Sequence, residues 1–201
     1  MAPVTKMRFI RVVKLLQMAD TFHVNFKYFA SGIGILLVVI YAAGSGIWVN
    51  NSPGWYTSLN RPNWQPPDFV FGIIWPYNFI VIALCAIHIA NHQSKSTTAI
   101  WLSIFGLSVI SALNWAYQFY VPHNLNIASI SLIATVLLTL PLTILIYKSS
   151  IKYGLLFTPY QIWVLLAAAL STSYAIKNNK TVIKPVCTSA GMSILNIVFT
   201  I

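Results

Sequence analysis

The sequence carries very little charge, and acidic residues are almost absent from it. Of 201 residues, two are Asp or Glu, and 7% are charged in total. Asp20 and Asp68 are therefore the two carboxylates that could complete a Ser-His-Asp triad, and the sequence gives little support for such a site. By contrast, 58% of the residues are hydrophobic and the mean hydropathy is +0.75. This composition excludes an ordinary soluble protein and indicates an integral membrane protein.

Cysteine is also scarce, and metal-binding patterns are weak. Cys85 lies in an apolar stretch and Cys187 in the C-terminal tail, which gives neither a disulfide framework nor a zinc-binding spacing. His88 and His92 lie four residues apart and could chelate a metal, but no carboxylate or thiol ligand lies in the neighbouring turns. We therefore predict no metal site and no haem held between two histidines.

The net charge of +10 could suggest nucleic-acid binding. The basic residues, however, lie in short segments between apolar stretches and at the ends of the chain, and no basic face continues through the middle. Such flanking positions are typical of membrane helices, so we expect a lipid bilayer and no nucleic acid as partner.

Long apolar stretches define the predicted fold. Residues 29–49 are uncharged and long enough to cross about 30 Å of hydrocarbon. Residues 96–147 are also uncharged, but they are too long for one crossing, and Pro122 marks the break. We predict an all-α integral membrane protein, a bundle of five transmembrane helices within residues 29–180. In chain order, the predicted spans are 29–49, 70–91, 98–121, 125–147 and 155–176.

The segments outside this domain are harder to interpret. Residues 1–28 are basic and amphipathic, which predicts a short helix on the membrane surface, with a targeting segment as the alternative. Residues 181–201 are apolar but interrupted by polar residues, so we expect a surface-lying tail, with a sixth crossing as the alternative. The distribution of basic residues favours a cytoplasmic N-terminus, although this preference depends on the first 26 residues.

The connection between the first two spans has a shape of its own. Pro62, Pro66 and Pro67 prevent it from joining the helices on either side. Trp55, Tyr56 and Trp64 add large amphipathic rings to the same segment. Such rings suit either a membrane–water interface or the lid of an apolar pocket.

Small and polar residues recur at helical spacing within the spans. Ala30 with Gly34, and Ala42 with Gly46, predict close packing of a neighbouring helix. Ser111, Asn114 and Gln118 share one face of the third span, which indicates either a hydrogen-bond clamp between helices or a ligand-facing surface. For the hydroxyl residues of the fourth span we predict packing and bonds back to their own helix; they are Ser131, Thr135, Thr139 and Thr143.

The tryptophans differ in their depth within the spans. Trp48 and Trp101 lie near span ends, as residues of an interfacial aromatic belt do. Trp163 lies too deep in the fifth span for that belt. Its indole N–H therefore needs a buried acceptor or a ligand.

The proline-rich connection carries a resemblance to a known family. From Trp55 to Pro67 the chain resembles, at every fixed position, the TspO/MBR pattern Trp-Tyr-x-x-Leu-x-x-Pro-x-Trp-x-Pro-Pro. This family comprises the tryptophan-rich sensory proteins and translocator proteins. The similarity covers about residues 29–180 and includes further positions in the spans, namely Trp75, residues 112–116, Pro159-Tyr160 and Trp163.

This resemblance implies a receptor- or translocator-like five-helix bundle, often a homodimer. It implies no obligatory cofactor, and a tetrapyrrole (protoporphyrin IX or haem), a sterol or another hydrophobic aromatic molecule as ligand. We expect a non-enzymatic role in porphyrin handling or stress regulation. The alternatives are light-dependent porphyrin degradation and transport of sterol or porphyrin. The bacterial cell membrane is the expected location, with the mitochondrial outer membrane as the alternative.

The resemblance also assigns ligand-binding residues. Tyr56, Pro66 and Pro67 would form a lid, Trp75 and Asn114 the pocket wall, and Trp163 a deeper wall, while Gln118 shares the face of Asn114. Trp75 and Trp163 are also the candidates for any photo-oxidative degradation. Ser131 stands where many members have an acid. The sterol-type pattern is met by Leu170, Tyr174 and Lys177, but the family tyrosine aligns with Thr172, so we do not predict a cholesterol site.

Overall fold

The structure is a computed structural model, and all the regular secondary structure in the part of the chain that it describes is helical. It describes residues 3–49 and 53–179, with the side chains of 25–49 and 54–178. The predicted tail at 181–201 lies outside these residues. The helices are α1 (Pro3–Val49), α2 (Pro53–Ser58), α3 (Asp68–His92), α4 (Lys95–Tyr120), α5 (Leu125–Ser149) and α6 (Ile151–Asn179).

Five of these helices are long and apolar enough to cross a membrane. They are the second half of α1, from Asn25 to Val49, and the whole of α3, α4 and α5, with α6 as far as Asn178. The predicted all-α fold with five spans is therefore confirmed. Most of the observed helices extend a few residues beyond the predicted bounds, because polar end residues continue the backbone hydrogen bonding.

The first helix is longer than the sequence suggested. α1 runs through 47 residues without interruption, so the boundary that we placed at residue 28 lies inside it. A separate surface helix for the basic segment is thus not what the structure shows. The physical reason is that residues 4–31 contain no proline or glycine that would end the helix.

The five long helices form a closed ring. α1 packs against α3 and α4, α5 packs against α4 and α6, and α3 packs against α6. The connections after α3, α4 and α5 are short, which makes successive spans antiparallel. Ser94 and Asn124 cap α4 and α5, because their side-chain oxygens accept hydrogen bonds from the N–H groups of Thr97 and Ile127 at 3.1 Å.

The two small-residue pairs of α1 have different surroundings. Ala30 is buried, and a Cβ placed on Gly34 would lie 2.6 Å from the Cβ of Ala86. The predicted close packing is therefore confirmed at the contact of α1 with α3. The prediction of close packing is wrong for Gly46, because an added Cβ there would meet no atom within 4 Å. Ala42 and Gly46 instead line a cavity.

Candidate functional site

An aromatic cavity of about 520 Å³ lies inside the ring, at the end where α1, α4 and α6 finish and α3 begins. α1, α3, α4, α6 and the segment after α1 contribute its walls. A volume of this size is typical of sites that enclose a drug-sized molecule. The aromatic residues that line it are Tyr56, Phe71, Trp75, Phe79, Trp115, Phe119, Tyr120, Trp163 and Tyr174.

Contacts between these rings hold the cavity walls in place. The ring of Trp75 stacks on Phe79 with centroids 5.6 Å apart, and Trp163 meets Phe71 edge to face at 5.2 Å. Residues 71, 75 and 79 follow one another at four-residue spacing, so they share one face of α3. These contacts fix the rings of the wall relative to one another.

Two of the lining tryptophans have hydrogen-bond donors without partners. Trp163 is 7% exposed, and its Nε1 has no acceptor among the described residues. The Nε1 of Trp115 is likewise buried and has no acceptor there. A buried N–H without an acceptor costs free energy. The need for an acceptor that the depth of Trp163 suggested is thus not met by the residues that the structure describes.

The connection between α1 and α3 covers this end of the ring and is attached to α6. Tyr56, on the short helix α2, lines the cavity, and its hydroxyl accepts a hydrogen bond from Gln65 Nε2 at 3.1 Å. The hydroxyl of Tyr174 donates to Gln65 Oε1. The backbone N–H of Asn60 also donates to Asn178 Oδ1 at 2.9 Å. These bonds place Tyr56 over the cavity.

Charged residues lie at the mouth of the cavity. The Nη1 of Arg61 lies 3.4 Å from Oδ2 of Asp68, and both residues line the cavity. Lys177 at the end of α6 donates from Nζ to the backbone carbonyl of Arg61 at 3.1 Å. Sequence reasoning missed Arg61, although it occupies a variable position inside the TspO/MBR pattern.

The structure brings several predicted site residues together at this cavity. Tyr56, Trp75 and Trp163 line it, as do two residues of the sterol-type pattern, Leu170 and Tyr174. The aromatic lining residues that sequence reasoning missed are Phe71, Phe79, Trp115, Phe119 and Tyr120. For all but Tyr120, the four-residue spacing with Trp75 or with one another was the signal that could have identified them.

Two of the predicted lid residues lie beside the cavity. Pro66 and Pro67 line a smaller cleft of about 270 Å³, together with Arg61, Gln65 and Asp68. They are not among the residues that line the main cavity. In the structure these prolines shape the connection that carries Tyr56.

Asn114 and Gln118 are also not among the residues that line the cavity. Asn114 instead donates from Nδ2 to Oγ of Ser131 at 2.7 Å, and Ser111 donates to the backbone carbonyl of Ser131 at 2.7 Å. Of the two interpretations of this face, the structure shows the clamp, between α4 and α5. Gln118 is half-buried in the last turns of α4.

The hydroxyl residues of α5 bond as predicted. Ser131, Thr135, Thr139 and Thr143 each donate to the backbone carbonyl four residues earlier, at 2.9 to 3.0 Å. Such bonds keep small hydroxyls satisfied inside a helix bundle. This prediction is confirmed.

The histidine pair lies at the opposite end of the ring. The imidazoles of His88 and His92 stack with centroids 4.3 Å apart, and His88 also stacks on Tyr153 at 4.0 Å. Nε2 of His88 is within 3.0 Å of Ser149 Oγ, so this nitrogen already has a polar partner. The pair fastens α3 to the turn between α5 and α6.

Comparison with known proteins agrees with this architecture. The sequence model of the TspO/MBR family matches residues 33–176. The tryptophan-rich protein TspO of Bacillus cereus is 31% identical over 123 residues, which cover 61% of this chain and 80% of that protein. Protein CrtK of Rhodobacter capsulatus is 29% identical over 61% of this chain and 78% of its own length. The membrane protein YtaB of Bacillus subtilis is 30% identical over 68% and 89%.

The family match and the structure lead to one assignment. The matched region contains the four long helices α3 to α6 almost completely, and most of the membrane span of α1. It also contains the connection that carries Tyr56 and all the residues that line the cavity. The chain is a multi-pass integral membrane protein that belongs to the TspO/MBR family.

Proposed function

We propose that the protein binds a flat, largely apolar tetrapyrrole such as protoporphyrin IX in the aromatic cavity. The observation that supports this most is that nine aromatic residues line this cavity, Trp75, Trp115 and Trp163 among them. Two of these residues, Trp115 and Trp163, also carry buried indole N–H groups without acceptors in the described structure, which an acceptor at the edge of a ligand would satisfy once the indoles turn toward the cavity. The carboxyl oxygen atoms of a porphyrin are acceptors of this kind.

The shape of the lining supports a flat ligand. Aromatic rings bind planar molecules well because they offer stacking and edge contacts together with a large apolar area. Trp75 and Phe79 present one such surface from α3, and Trp115 and Phe119 present another from α4. Removing a macrocycle from water against these surfaces provides the main driving force for binding.

Binding is tested by a tryptophan-fluorescence titration of the purified protein with protoporphyrin IX. We expect quenching with micromolar or tighter affinity. Replacing both Trp75 and Trp163 by Phe should weaken binding and reduce the quenching. If the double variant binds protoporphyrin IX as tightly as the parent protein does, the assigned site is wrong.

Trp101→Phe is the matched control for this titration. Trp101 is fully buried, and its Nε1 also lacks an acceptor in the described structure, but it does not line the cavity. Its replacement removes an indole N–H of the same kind from a different place. We expect the affinity for protoporphyrin IX to stay unchanged.

Light-dependent breakdown of the bound porphyrin is the second candidate function. The observation that favours it is that Trp75 and Trp163, its two candidate residues, line the same cavity. Irradiating the purified complex and following the Soret band tests it. Bleaching that is no faster than for porphyrin in detergent without protein would exclude this activity.

The assembly and the location follow from the family resemblance. We expect a homodimer because the family resemblance implies one, and a bacterial cell membrane because similar proteins occur in Rhodobacter and Bacillus. The mitochondrial outer membrane is the alternative. Cross-linking in native membranes tests whether the protein is a dimer, and fractionation of the source cells identifies the membrane that holds it.

A further inference from the structure

The ion pair at the mouth of the cavity joins the connection before α3 to the start of α3. The Nη1 of Arg61 and the Oδ2 of Asp68 are 3.4 Å apart, at the long end of hydrogen-bond distances. Their side chains are 41% and 68% exposed. An ion pair this exposed is held weakly, because water competes for both charges. Either partner can therefore exchange the other for a stronger one.

Arg61 is fixed by its backbone, whereas its side chain keeps room to move. Its carbonyl accepts a hydrogen bond from Lys177 Nζ at 3.1 Å, which ties this residue to α6. The guanidinium carbon lies 5.4 Å from the centre of the Tyr56 ring, at the edge of the cavity. A guanidinium in this position can turn toward an occupant without any movement of the backbone.

Asp68 would keep a partner if Arg61 turned away. Its Oδ1 accepts a hydrogen bond from Gln65 Nε2 at 3.4 Å. It also lies in the first turn of α3, where the helix dipole stabilises a carboxylate. The exchange therefore leaves no buried or isolated charge behind.

The balance of charge at the mouth favours an anion. Arg61 and Asp68 are the charged residues among those that line the cavity in the described structure. Lys177 adds a second positive charge next to Arg61. One carboxylate stands against two basic groups, so a ligand with an anionic group is attracted to this end of the bundle.

We propose that Arg61 selects ligands that carry a carboxylate. The guanidinium releases Asp68 and binds the carboxylate of the ligand at the mouth, while the flat body of the ligand lies among the aromatic rings. When no ligand is bound, Asp68 holds the guanidinium, and it therefore competes with the carboxylate of the ligand. This inference rests on the proposed function, because it concerns the same cavity and specifies the chemical class of its ligand.

The test compares an acid with its ester. Protoporphyrin IX carries two carboxyl groups, whereas its dimethyl ester has the same macrocycle without the charge. For Arg61→Gln we expect the affinity for the acid to fall about fivefold and the affinity for the ester to stay unchanged. Arg61→Lys should recover part of the loss, and Asp68→Asn should raise the affinity for the acid, since it removes the competitor.

Lys152→Gln is the matched control. It removes the same positive charge from an exposed residue at the other end of the ring, near the start of α6. It should change the affinity for neither compound. If Arg61→Gln weakens acid and ester equally, Arg61 only shapes the cavity and the inference is wrong.

A second pair of probes separates this inference from the proposed function. The pair is 1-pyrenebutyrate and its methyl ester, flat aromatic probes without a porphyrin ring. If neither porphyrin binds the parent protein, the proposed function fails, while the pyrene pair still tests Arg61. A preference for pyrenebutyrate that Arg61→Gln abolishes supports the inference. Equal binding of the pyrene acid and ester by the parent protein contradicts it.

Discussion

The indole of Trp55 stacks on the imidazole of His123, with ring centroids 3.8 Å apart and planes inclined by 15°. Trp55 belongs to the short helix α2, and His123 lies in the turn between α4 and α5. His123 adopts a left-handed backbone conformation, with φ at 60°. The stack therefore attaches the connection over the cavity to a second part of the bundle, in addition to its bonds with α6.

Removing this stack should loosen the connection. His123→Asn keeps a residue that tolerates positive φ but deletes the ring. An aromatic contact of this kind stabilises by about 1 kcal/mol, so amide exchange in residues 54–67 should become about fivefold faster. Hydrogen-exchange mass spectrometry measures this rate. His92→Asn, at the opposite end of the ring, should leave the exchange rate unchanged. If exchange in residues 54–67 becomes faster by the same factor in both variants, the assignment is wrong.

The close approach of α1 and α3 predicts a loss of stability for Gly34→Ala. The new Cβ would lie 2.6 Å from the Cβ of Ala86, which cannot move without its backbone. We expect the free energy of unfolding to fall by about 1 to 3 kcal/mol. Thermal unfolding in detergent measures the change as a lower melting temperature.

Gly32→Ala is the matched control for this contact. It lies on the same helix, and an added Cβ there meets no atom within 4 Å. Since alanine favours helix more than glycine does, we expect a stabilisation of up to about 1 kcal/mol. A melting temperature that changes in the same direction in both variants would show that α1 and α3 do not approach as described.

The clamp between α4 and α5 predicts that Ser131→Ala lowers stability without lowering ligand affinity. The change removes the acceptor of Asn114 Nδ2, a contact worth about 1 kcal/mol or less in a membrane bundle. Thermal unfolding and a protoporphyrin titration measure the two effects separately. Thr172→Ala is the control, because the Thr172 hydroxyl donates to the carbonyl of Ala168 in its own helix. An affinity loss in Ser131→Ala would instead favour the ligand-facing interpretation of Asn114.

The number and position of the spans could be predicted because charge and proline mark their ends. Pro122 and the lysines at 148 and 152 divide the second half of the chain into helices close to the observed ones. The same argument placed a boundary at residue 28, where hydrophobicity changes but the helix continues. Hydropathy identifies where a chain enters lipid, and it does not identify where a helix stops.

The rotation of each helix about its axis could not be predicted from the sequence. Trp101 lies near a span end, as belt residues do, yet it is fully buried and packs against Phe105 at 5.3 Å. The belt assignment of Trp101 is therefore wrong, because its side chain faces the interior of the ring. Likewise, the face with Asn114 could have contacted a ligand or a helix. Only the packing of α4 on α5 distinguishes the two.

The aromatic cavity itself was predicted in part. The family resemblance identified Tyr56, Trp75 and Trp163, which line it. The ion pair of Arg61 with Asp68 depends on the fold of the connection, which brings together two residues seven positions apart. Neither residue type indicates such a contact on its own.

Filling the cavity tests the central claim most directly. Gly46 lines the cavity, and an added Cβ there meets no atom, so Gly46→Leu places a side chain in the space assigned to the ligand. Gly32→Leu is the control, because Gly32 is exposed on the same helix and does not line the cavity. In a protoporphyrin IX titration, Gly46→Leu should weaken binding about tenfold or more, while Gly32→Leu should bind like the parent protein. Equal affinities of the parent and Gly46→Leu would show that the ligand does not occupy this cavity.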